Sequence, residues 1–138
     1  MLVSLKIIIH IYIGRALEKE VILVVVLNEG LERLAVNFAS DITNGQWGSG
    51  TTLPTTSDTG LETAIGASLL AVTASSSGTQ AQFNHEVDSV TANGNTFAEF
   101  ELQFSNGDSF NRVIGGTFAK TSSVEVVTIT TVSFIRSS

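Results

Sequence analysis

Few residues in this chain are of types that do chemistry, and their spacing decides what each could do. Asp58-Thr59-Gly60 is the triplet that carries the catalytic carboxylate of aspartic proteases, where two such loops share one proton. That chemistry places the Asp just after an apolar strand. Here Thr-Thr-Ser precedes it and Leu-Glu follows, so the expectation is an Asp closing a turn through its own backbone. Glu99 and Glu101 stand two apart, on one face of a strand and roughly 7 Å from each other, near the separation of paired glycosidase carboxylates. Such pairs face each other across an aromatic cleft, and only Phe97 lies nearby. An acidic solvent face or a subunit contact is expected instead. His10 and His85 are the only histidines and cysteine is absent, so no recognisable zinc-ligand spacing exists. His85 shares the alternate positions of Ala81, Phe83 and Val87 and reads as a core or rim histidine. Trp47, flanked by Gly45, Gly48 and Gly50, could stack on a sugar, although a lone Trp among glycines more often pins its loop to the domain. The same run lacks the Lys-Ser/Thr ending of a phosphate loop. The sequence thus assigns no catalytic residue, no metal and no cofactor, and keeps Trp47 and Asp58 as candidate surface or ligand contacts.

The elements that must position these residues read as mainly β. The chain has 138 residues, 43% apolar and 14% charged, with a formal charge of −6. That length suits one domain with a real core, and abundant Ser, Thr, Gly, Val and Ile suit strands under a neutral hydroxyl surface. Seven scattered basic residues form no patch, which argues against nucleic acid as a partner. Neither apolar run near the start reaches the roughly 20 residues of a membrane helix, and the first lacks a signal peptide's basic start and cleavage site.

Residues 2–13 place Val3, Leu5, Ile7, Ile9, Ile11 and Ile13 at alternate positions, the period of a strand with one buried face. Residues 21–27 read as a strand buried on both faces. Asn28 is a suitable N-cap for one short amphipathic helix over 28–40, with Leu31, Leu34, Ala35, Phe38 and Ala39 on its apolar stripe. Residues 41–63 read as a connector, with Asn44-Gly45 as a turn. Further strands are expected over 66–73, 79–90, 96–104, 109–118 and 124–135, with hairpin turns at Asn93-Gly94 and Asn106-Gly107. In 96–104, Ala98, Phe100, Leu102 and Phe104 share one face, opposite Phe97, Glu99, Glu101 and Gln103. About seven strands and one helix make an antiparallel, jelly-roll-like β-sandwich. Residues 1–20 form an N-terminal strand extension and hinge, and 21–138 the single domain.

Three stretches are similar to one family. They are Val26-Leu-Asn-Glu-Gly-Leu-Glu-Arg-Leu-Ala35, then Gly48-Ser-Gly-Thr-Thr-Leu-Pro-Thr-Thr-Ser-Asp-Thr-Gly-Leu-Glu62, and finally Thr91-Ala-Asn-Gly-Asn-Thr-Phe-Ala-Glu-Phe100 with Asn111-Arg112 and Phe118-Ala-Lys-Thr121. Together they resemble small tail and tail-fibre-associated structural proteins of bacteriophages and archaeal tailed viruses. The resemblance covers roughly 21–134, and its middle loop is the most specific part. It implies a non-enzymatic virion component, β-rich and assembled with copies of itself and with other virion proteins. Residues 1–20 extend beyond the family pattern, and Trp47 stands where the family usually has a small aliphatic residue. The alternating aliphatic row from Val3 to Ile13 is the candidate assembly element, pairing in cis or added to a neighbour's sheet edge. Other functions open to such a chain are an extracellular filament or pilus subunit built by strand exchange, or a module binding a host-surface glycan through Trp47 and its loop.

Overall fold

A computed structural model describes residues 2–5, 9–13, 16–21 and 27–136. Ten strands and one helix follow in chain order: β1 (Leu2–Leu5), β2 (Ile9–Ile13), β3 (Ala16–Val21), α1 (Asn28–Asp41), β4 (Ile42–Gly48), β5 (Leu70–Ala71), β6 (Thr73–Ser77), β7 (Gln80–Val87), β8 (Thr96–Phe104), β9 (Val113–Ala119) and β10 (Val126–Arg136). Seven of them, β4 to β10, form an antiparallel β-sandwich. One sheet runs β10-β7-β6 and the other β5-β4-β8-β9. β1 adds to the first sheet as a parallel strand on β10, pairing Leu2 to Leu5 with Ser133 to Arg136. β2 and β3 form a separate antiparallel pair. The continuous strand expected over 2–13 is therefore split between two sheets. Residues 22–26 of the expected strand 21–27, and Ile7 of the aliphatic row, lie outside the described residues.

The core explains why these segments fold as they do. Alternate positions of β7 bury Ala81, Phe83, His85 and Val87, the period-two pattern of a strand with one inner face. On α1, Leu31 and Ala35 are buried, and Phe38 sets its ring edge-on among Phe83, Phe104, Phe110 and Phe134. Leu34, expected on the same stripe, is exposed. Leu27 takes the extended N-cap position and Asn28 is already helical, so no side chain caps the helix start.

The larger correction concerns the connector. Residues 42–48 form β4, a central strand paired with β8 along its length. Asn44-Gly45, expected as a turn, lies inside it. Gly45 is required there by close packing: a Cβ would come within 2.7 Å of the His85 ring and 2.9 Å of Phe100. The strand expected over 66–73 begins instead as a 3-10 turn, Gly66–Ser68, before β5 and β6. β6 and β7 join through Gly78-Thr79, with Gly78 at φ +56° and Thr79 at negative φ, as a hairpin with glycine at its first central position requires. Asn93-Gly94 makes no hairpin, because it carries the chain from β7 in one sheet to β8 in the other.

Candidate functional site

β8 is where the candidate residues meet. Its register against β9 breaks between Phe97 and Glu99, so Phe97 and Phe100 both reach the core, with Trp47 packed against each. The single alternating face expected from Ala98 to Phe104 is interrupted there. Phe97 to Leu102 are all buried, and the acidic solvent face expected for Glu99 and Glu101 does not exist.

Loop 49–63 covers that face. Glu99 is fully buried and accepts from the backbone N–H groups of Gly50 (3.0 Å), Glu62 (3.0 Å) and Thr63 (2.8 Å). The Nε of Arg112 donates to the same carboxylate at 2.6 Å. Arg112 then reaches over the loop, donating to Asp58 Oδ2 at 3.0 Å and to the Thr52 carbonyl at 2.8 Å. Burial pushes the Glu99 carboxyl up, but the Thr63 and Glu62 N–H groups, Arg112 and the Gly50 N–H together hold it below the ordinary carboxylate range. Asp58 accepts from Thr55 N–H at 3.1 Å and from the Thr55 hydroxyl at 2.9 Å. Those two bonds, then Arg112, lower its carboxyl. Asp58 therefore closes its own turn, as its sequence context implies. Glycine is obligatory under this cover as well, since a Cβ on Gly48 would meet Glu99 Oε1 at 2.5 Å and the Thr63 carbonyl at 2.6 Å.

The arrangement is a latch, because every strong donor and acceptor in it faces another. Three parts of the family-like stretches supply it: the loop, Glu99 and Arg112. A second latch holds the other end of the domain. Lys120, fully buried, donates to Asn93 Oδ1 at 2.6 Å and to the Thr121 carbonyl at 3.1 Å. Arg112 and Lys120 went unnoticed as functional positions in the sequence, where only their membership in the quoted stretches marked them. Glu101 accepts from Gln103 at 2.6 Å through one oxygen and leaves the other buried without a partner. Among the described residues, no group of three or more His, Asp or Glu could hold a metal ion.

His85 is buried beside Gly45, with Nε2 3.0 Å from the Ser68 carbonyl. A carbonyl only accepts, so Nε2 carries the proton and Nδ1 is left without a partner. Burial lowers the His85 pKa, with the Ser68 and Gly45 carbonyls pulling it back up.

Trp47 belongs to β4 rather than to a loop. Its ring stacks on Phe97 at 5.1 Å, stands edge-on to Phe118 and joins the two halves of the core. It also floors a seam at the sandwich edge. There, between β9 and β10, a cleft of about 350 Å³ is lined by Trp47, Phe100, Ile114, Thr128, Ile129 and Thr130. Gly115, Gly116 and Thr117 stand opposite Ala98 alone, so β9 bulges away from β8 at the mouth. β9 and β10 belong to different sheets and do not pair. Val113 and Ile129, which line the opening, are 51% and 61% exposed. Of the assembly candidates, Val3 and Leu5 fall in β1, and Ile9, Ile11 and Ile13 in β2. Only β1 touches the sandwich sheet by pairing.

Comparison with protein-family models, with curated proteins and with solved structures finds no match to this chain.

Proposed function

We propose that this protein is a non-enzymatic structural subunit that self-assembles through β-strand contacts, as a component of a tailed-virus particle. The observation that carries the assembly part is the seam, where the apolar Val113 and Ile129 stand exposed around an aromatic-floored cleft. Among the described residues no strand pairs with the outer edge of β10 from Val126 to Thr130, and a sheet edge beside apolar surface favours association, because ladder bonds and buried area are gained together. Placement in a virion rests on the resemblance of loop 49–63 and its partners to viral tail proteins. The latch supports that reading by giving the shared residues a common physical task.

The test is electron microscopy and mass photometry of the purified chain over a range of concentrations. Discrete rings or stacked particles are expected, reverting to monomers when Val113→Lys and Ile129→Lys are combined. A wild-type chain that stays monomeric throughout would defeat the proposal.

A further inference from the structure

Lys120 carries a nucleophilic nitrogen in the interior, and the assembly reading gives it no task. Its side chain is fully buried, and Nζ donates to Asn93 Oδ1 at 2.6 Å and to the Thr121 carbonyl at 3.1 Å. Among the described residues no carboxylate forms an ion pair with it. An ammonium held there by neutral acceptors alone is costly to bury. The amide that faces it is fixed at both ends. Asn93 Nδ2 donates to the Ser89 carbonyl at 2.9 Å, which turns the amide oxygen toward Nζ and the amide nitrogen away from it. A C=O bond of about 1.2 Å places the amide carbon no more than about 3.8 Å from Nζ, close to the roughly 3–3.5 Å of a near-attack pair.

The backbone is bent to bring the two together. Ala92, immediately before Asn93, is the one described residue other than glycine with positive φ, at 57°, a conformation that a residue with a Cβ adopts at a cost. Its carbonyl accepts from Asn95 Nδ2 at 2.9 Å. Lys120 is pinned opposite: its N–H donates to the Asn95 carbonyl at 2.8 Å, and its carbonyl accepts from the Gly94 N–H at 2.9 Å. That last bond engages the Gly94 nitrogen, the other nucleophile within reach of the Asn93 amide, and leaves Nζ as the one in place.

We infer that Lys120 and Asn93 are the two halves of a spontaneous intrachain isopeptide bond. Nζ gives up a proton to a carboxylate and attacks Asn93 Cγ. The Nζ–Cγ bond forms, the Cγ–Nδ2 bond breaks, and Nδ2 leaves as ammonium with two of the protons that Nζ carried. An ammonium and a primary amide become a secondary amide and a free ammonium ion, so atoms and charge balance with no oxidant or cofactor. Asp88 is the carboxylate placed to carry the proton. The Thr91 side chain and the Val90 N–H hold its carboxyl below the ordinary range, and the nearby Lys120 charge adds to this, so it is ionised and within electrostatic reach of Nζ. Asp88 and Asn93 are both exposed, which gives the leaving ammonium a way out. The bond closes a ring over residues 93–120 that contains all of β8 and β9, and it replaces a buried cation with a neutral link.

Intact-mass spectrometry of the full-length chain, incubated folded for days and then denatured, tests the bond. A mass lower than that of the sequence by one ammonia is expected, and Lys120→Arg and Asn93→Ala each restore the full mass. Trypsin should no longer cut after Lys120, and tandem spectra should show a branched peptide joining it to Asn93. The wild-type mass and digest decide the matter even where a variant fails to fold. Asp88→Asn should slow the mass loss roughly a hundredfold or more. A folded wild-type chain at full mass, cut by trypsin after Lys120, overturns the inference. So does a loss of ammonia that persists in Lys120→Arg, which assigns the event to a succinimide at Asn-Gly. An equal rate in Asp88→Asn overturns the proton path through Asp88.

Discussion

Over the outer face of β8, four donors converge on one carboxylate, from Gly50, Glu62, Thr63 and Arg112; at the seam between β9 and β10, an aromatic floor lies beside an edge of β10 that no described residue pairs with from Val126 to Thr130. On the latch side the Glu99 carboxylate is satisfied within the chain, while Glu101 beside it keeps one oxygen buried without a partner. The seam side is apolar. Burying a charge is tolerable only when it is paired and fully hydrogen-bonded, and the four donors meet that demand for Glu99. The seam exposes apolar area at Val113 and Ile129. Polar clusters attract functional readings, yet in this molecule the polar cluster ties loop 49–63 to β8.

The comparison breaks most directly at Glu99. Glu99→Ala removes the carboxylate and leaves a guanidinium and three N–H groups under the loop without their acceptor. A loss of about 3–5 kcal/mol in unfolding free energy is expected, read by urea denaturation. Loss of under 1 kcal/mol would mean that the loop is held by something other than the latch.

A smaller change sharpens the same contrast. Gly48→Ala drives a methyl into Glu99 and the Thr63 carbonyl, an overpacking that costs about 1–3 kcal/mol. Gly116→Ala on the seam side meets nothing within 4 Å and should stay within about 0.5 kcal/mol. Equal effects at the two glycines would erase the distinction between a filled side and an open one.

How far the sequence carried this contrast depends on whether a signal was local. β7, β8 and β10 were legible as strands because each carries its own run of apolar and β-branched residues, although the faces of β8 were not. β4 was missed because its Asn44-Gly45 and Gly48 have the composition of a turn, while the demand for glycine comes from His85, Phe100 and Glu99, far away in sequence. The burial of Glu99 was invisible for the same reason, since its cover is loop 49–63 and its counter-charge is Arg112. Asp58 was read correctly, because its partner Thr55 is three residues away. The seam could not be seen at all: it depends on how two strands of different sheets face each other, and on a register break at Ala98 that no periodicity records.

Acid separates the two sides by their titratable groups, and the sign follows from each direction of shift. His85 is depressed below its ordinary value of about 6.5, so the unfolded chain takes up its proton first. Its contribution is complete above pH 6.5 and falls as pH drops from there toward the folded pKa, by at most about 1.4 kcal/mol per pH unit for the one proton. Glu99 and Asp58 are also depressed. Their contribution is complete above the ordinary carboxylate range near 4 and is lost as pH falls through their folded pKa values, so loop 49–63 should lose hydrogen-exchange protection there. The seam strands contain no group that titrates in this range, and assembly through them should survive to lower pH than the latch does. Urea unfolding at a series of pH values reads the first step. His85→Gln keeps a donor for the Ser68 carbonyl and removes the titration, so its stability should stay level until the carboxylate range. An onset that remains near pH 6.5 in His85→Gln would remove His85 as its source, and the division between a titrating latch side and a silent seam side would have to be redrawn.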